Sequence, residues 1–106
     1  MGKTKAFMEF LIDSRVENLP AIALAEVFDR LIWCMADNGH DILSIRLEWL
    51  KSDDVYKVDV ALSMIEVFPF EDKSEMHRAF ARIIQRWPQL QEKCDSWCAQ
   101  WEKQRT

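Results

Sequence analysis

Glycine and proline are scarce, with two glycines and three prolines in 106 residues. So few chain-reversing residues fit long helices and short connections better than a many-turned β fold. No apolar run approaches the ~18 residues of a membrane-spanning helix. The N-terminal stretch "MGKTKAFMEFLIDSR" lacks a long apolar core and a small-residue cleavage site, and acids interrupt its apolar part. No signal peptide is expected. Ala6 stands where a myristoylation motif after Gly2 requires Ser or Thr. Cysteine is limited to Cys34, Cys94 and Cys98. An odd number without a secretion signal fits free thiols in a reducing cytoplasm.

Positive charge is not in excess either. The formal net charge is −4. That argues against broad nucleic-acid binding, which needs surplus Lys and Arg to displace counterions. It is also too small a surplus to read as a nucleic-acid mimic. There is no glycine-rich phosphate loop, no pair of histidines on one helix and no nucleophile with a nearby base signature. A non-enzymatic protein without a cofactor is expected.

What remains is an ordinary folded composition, 49% hydrophobic and 30% charged. Without repeats, low-complexity stretches or a linker, residues 1–106 read as one domain. Residues 4–15 form a first helix with Phe7, Phe10, Leu11 and Ser14 on one face. "NLPAIALAEVFDRLIWCMADNG" is the clearest helix. Asn18 is its expected N-cap, and Leu24, Val27, Phe28, Leu31 and Met35 form its apolar stripe. Asn38-Gly39 is its expected stop, which leaves His40 in a loop.

The middle supports two readings. "ILSIRLEWL" and "YKVDVALSM" alternate as strands would, yet the connection "KSDD" offers no Gly or Asn for a tight hairpin. As helices they acquire polar stripes, with Asp41 as a cap for the first and only Arg46 on the wrong side. After "PFEDKSEM", with Ser74 as a candidate cap, "EMHRAFARIIQRW" is helical with Phe80, Ile83, Ile84 and Trp87 apolar. Pro88 kinks it or opens another helix. The fold expected is an all-α bundle of about five helices. The alternative is α+β with a central β-hairpin at about 43–64.

"CDSWCAQW" places two cysteines and two tryptophans in eight residues. At ~100° per residue, Leu90, Cys94, Trp97 and Trp101 share a narrow arc with Cys98 at its edge. That is a packed face, where cysteine acts as a small hydrophobe. As metal ligands, Cys94 and Cys98 would need two more from Cys34, His40, His77 or carboxylates, and no second pair has ligand spacing. The spacing is also not that of a redox C-x-x-C.

Two surface features suggest partner binding. Arg78, Arg82 and Arg86 recur every four residues on one helix face. Like charges at this spacing repel, so the ridge is either answered by acids such as Glu71, Asp72 or Glu75, or offered to an acidic partner. Trp33 falls on the wheel among Glu26, Asp29, Arg30 and Asp37, opposite the apolar stripe. It is either covered by another element or presented to a partner.

With "RAFARIIQR" and "RLIWCMAD" on a small chain without catalytic motifs, the sequence resembles the anti-CRISPR proteins of phages and mobile elements, especially inhibitors of type I systems. The resemblance is one of size and style across the whole chain, and that family supplies no shared motif. It implies stoichiometric inhibition, with a Cas effector subunit as protein partner. The alternatives are a toxin-neutralising immunity protein or antitoxin, meeting a basic toxin with Asp53, Asp54 and Asp59, and a small metal-binding regulator using Cys34, Cys94, Cys98 and His77.

Overall fold

A computed structural model describes residues 2–105, with side chains through Lys103. The chain is all-α: α1 Gly2–Asp13, α2 Ala21–Ile32, α3 His40–Trp49, α4 Val55–Ser63, α5 Lys73–Arg86 and α6 Gln91–Arg105. Among the described residues there is no strand, and the hairpin alternative at 43–64 is replaced by α3 and α4. Among the described residues the α-helices number six rather than about five, because Pro88 ends α5 and opens a short 3-10 turn, Pro88–Leu90, ahead of α6. The chain divides into two compact units, one ending at Val67 and the other beginning at Phe68.

In the first unit, α1 turns inward not the expected Phe7 and Phe10 but Met8 and Ile12. Phe7 is 47% and Phe10 61% exposed. "AFMEFLI" has apolar residues around most of its circumference, so periodicity alone could not choose the buried arc. On α2 the buried stripe is Leu24, Ala25, Phe28 and Ile32, and it includes Asp29. Val27 is exposed. The N-cap of α2 is Pro20 in an extended conformation, and Asn18 instead takes a left-handed turn with φ 65°.

The helix also ends sooner than expected, at Ile32, leaving Met35 outside it. Residues 33–39 form turns that finish with Asn38 and Gly39, both at positive φ. A side chain at Gly39 would be strained twice over. Its φ is +80°, and a Cβ would stand 2.6 Å from Ile32 Cγ2. Asp37, rather than Asp41, secures the start of α3, its carboxylate accepting from the N–H groups of Gly39 at 2.9 Å and Asp41 at 3.1 Å. His40 is consequently the first residue of α3 and not a loop residue.

Ile42, Ile45, Arg46 and Trp49 form the buried face of α3, a helical spacing of three and four. Asp54 caps α4 by accepting from Tyr56 N–H at 2.9 Å. Val58, Val60, Ala61 and Leu62 are all buried, and α4 packs chiefly against α2. Phe28 and Trp49 meet edge-on with centroids 5.8 Å apart.

In the second unit, Asp72 and not Ser74 caps α5, accepting from Ser74 N–H at 2.9 Å. Met76, Phe80 and Ile83 face inward. The arc drawn from the sequence for α6 is the one buried: Leu90, Cys94, Trp97 and Trp101. Phe68 meets Trp97 at 5.2 Å and Trp101 at 5.8 Å, both edge-on, and Phe70 meets Phe80 at 5.9 Å. An exposed Lys73–Glu102 pair at 2.6 Å joins α5 to α6.

Candidate functional site

α5 divides into two faces. The side bearing Met76, Phe80 and Ile83 is core, and Arg78, Arg82 and Arg86 are all exposed. Helical rise advances successive arginines by about 6 Å along the axis. The Arg86 guanidinium lies over the Trp87 ring, 4.8 Å from its centroid. Stacking of this kind holds a planar guanidinium in a defined orientation. From Phe68 onward the chain has seven bases and six acids, so this unit is close to neutral and the net charge of −4 originates in the first.

Trp33 is 69% exposed, immediately after α2. Cys34 beside it is also exposed. Of the residues expected around Trp33, Asp29 does not belong. It is buried, and its carboxylate accepts from Ile65 N–H at 3.0 Å. Trp33 lies in the first unit and the arginine ridge in the second.

Cys94 is buried and Cys98 half-buried, as a packed face requires, whereas Cys34 is exposed. All three are free. Burial pushes the Cys94 thiol up to about 12, with the neighbouring Cys98 and Asp95 adding to the effect. Burial likewise raises Cys98. Thiols raised in this way stay protonated at neutral pH, and the thiolate is the form that attacks or ligates. Among the described residues, no three or more His, Cys, Asp or Glu side chains are grouped to hold a metal ion.

The sequence pattern marked Arg46 only as misplaced. It is the centre of a buried polar cluster in the first unit. Its side chain is 1% exposed. Nε donates to the Ala61 carbonyl at 2.9 Å, and the terminal nitrogens donate to the carbonyls of Met64 and Val67. These are carbonyls at and beyond the end of α4, which lack intrahelical partners. Burial lowers the Arg46 pKa to about 10, with the Asp29 charge opposing, so it remains a cation at neutral pH. Asp29 and Arg46 thus grip the same stretch, residues 61–67, from two helices.

The Asp29 carboxyl is raised above its ordinary 3.8, first by burial, against the N–H groups of Ile65 and Glu66 and the Arg46 charge. Its Oδ1 is buried without a hydrogen-bond partner. A carboxyl raised on folding contributes its stability below the unfolded pKa and loses it as pH rises through the folded value. Relative to Asp29→Asn, the wild-type chain should therefore lose stability as pH rises upward from the ordinary value. Urea midpoints of the two proteins across the acid range would show this. A difference that does not vary with pH would mean that Asp29 does not titrate in the buried setting.

Comparison with protein families, curated proteins and solved structures returned no match for this chain.

Proposed function

We propose that this protein is a non-enzymatic binding protein that works by stoichiometric protein–protein contact in the cytoplasm. Its resemblance in size and character to phage-borne anti-CRISPR proteins makes a type I CRISPR effector subunit the proposed target. The observation that supports this reading is the exposed arginine face of α5. An acidic partner surface gains charge-assisted bonds to exposed guanidinium groups repeated along one helix face. The net charge of −4 favours a protein over a nucleic acid as that partner.

Trp33 is the second proposed contact. A large exposed aromatic at a helix end is of the residue type enriched among interface hot spots. No cofactor enters the proposal.

The test is an affinity pull-down of the tagged chain from bacterial lysate that expresses type I effector complexes, read by mass spectrometry. Retention of Cas subunits is the expected result. Reversal of Arg78, Arg82 and Arg86 to Glu together should leave the circular dichroism spectrum unchanged and weaken binding by about tenfold or more. Unaltered binding would remove the ridge from the interface.

A second reading has its own support. The acid excess lies in the first unit, where Asp53 and Asp54 are exposed. That arrangement suits an immunity protein or antitoxin meeting a basic toxin. Stoichiometric capture of a basic, non-Cas protein would favour it. A metal-binding regulator is a weaker reading, because the Cys94 and Cys98 thiols are raised; stoichiometric zinc in purified protein would revive it.

A further inference from the structure

The outer face of α1 is apolar, and the charges of this helix run against its dipole. Phe7 and Phe10 lie one turn apart on that face, both about half exposed or more. Lys3 lies on the same face toward the N-terminus, and Ser14 follows just past the helix end. The first turn has no acid and the last turn no base. Instead Lys3 and Lys5 stand at the positive end of the helix, and Asp13 stands at the negative end. Both placements are unfavourable for an isolated helix. Lys5 is answered within the chain by Glu48 of α3. Lys3 and Asp13 are exposed.

A second α1 lying antiparallel across this face answers both features at once. We propose that the outer face of α1 is a self-association surface, and that a second copy of the chain docks its own α1 there, antiparallel. Phe7 of one copy meets Phe10 of the other, and the reverse contact follows from the two-fold axis. A two-fold contact must be self-complementary in this way. The same register sets Lys3 beside Asp13 and Ser14 of the second copy. Each positive helix end then lies against a negative one, with opposite charges paired across the contact.

α1 is about 18 Å long. A contact of that length covers less than the roughly 800 Å² per partner of a standard interface. The association is therefore weak and dependent on concentration. It is independent of the arginine face and of the partner proposed for it.

The test uses the full chain in sedimentation velocity over a concentration series. Wild type should pass from monomer to dimer. Phe7→Ser with Phe10→Ser should remain monomeric, and the exposure of both rings means this variant keeps its fold, checked by circular dichroism. Lys3→Glu should weaken the dimer by about tenfold, and Lys3→Glu combined with Asp13→Lys should restore it. Zero-length carbodiimide cross-linking should join Lys3 to Asp13. Within one helix these residues are separated by about 15 Å, too far for such a bond, so this product reports only a contact between copies. Wild type that stays monomeric at every concentration would overturn the proposal. So would a dimer that survives the double phenylalanine change, or a charge exchange that fails to restore association.

Discussion

Arg46→Met should destabilise the first unit by about 3–5 kcal/mol, the range found when one partner of a buried charged cluster is removed. Methionine approximates the arginine stem in length, so little packing volume is lost. The loss is polar. The carbonyls of Ala61, Met64 and Val67 each forfeit a charge-assisted donor. Asp29 is left buried without its counter-charge. An uncompensated buried carboxylate raises its pKa and takes up a proton. The loss in Arg46→Met should therefore be larger at neutral pH than in acid. Adding Asp29→Asn should recover part of it, because the remaining buried group is then neutral. Urea denaturation of the single and double variants measures both effects. A loss below about 1 kcal/mol, as for an exposed ion pair, would mean that water reaches the guanidinium and that the cluster does not hold the end of α4.

Trp97→Ala should destabilise the second unit by about 3–5 kcal/mol, the usual range for emptying a large aromatic site in a core. Trp97 is 4% exposed and meets the edge of Phe68. Phe68 also contacts Trp101, so the cavity would remove one side of a three-ring cluster. A separate Phe70–Phe80 pair lies in the same unit and does not share these rings. Trp97→Phe keeps much of the volume and should cost distinctly less. Thermal or urea unfolding would separate the two variants. A negligible change in Trp97→Ala would mean that the α6 face is not a core face.

How far the sequence sufficed can be seen by comparing α6 with α1. On α6, polar residues outnumber apolar ones, and Cys94, Trp97 and Trp101, continued by Leu90 of the preceding turn, leave a single arc that can be buried. On α5 the same logic separates Met76, Phe80 and Ile83 from three exposed arginines. Where one arc is clearly apolar, hydrophobic burial has a single solution. On α1 it has several, and packing against the rest of the first unit selected Met8 and Ile12 over Phe7 and Phe10. Trp33 illustrates a different limit. The wheel placed it on the polar side, but only the early end of α2 at Ile32 made it an exposed residue of the following turn.

Composition and periodicity by themselves determined that this chain is helical outside 43–64, where helix and hairpin both fitted and the fold chose α3 and α4. They set the buried face of α6 and the arginine face of α5, because burial and helical period act within a dozen residues. Three further things were decided only by tertiary structure: the buried Arg46, the buried Asp29 and the outward face of α1. Arg46 and Asp29 are tolerated inside because residues 15 to 36 positions away supply their partners. A polar group is stable in a core only when hydrogen bonds replace its water, and those partners are brought to it by the fold rather than by neighbouring sequence.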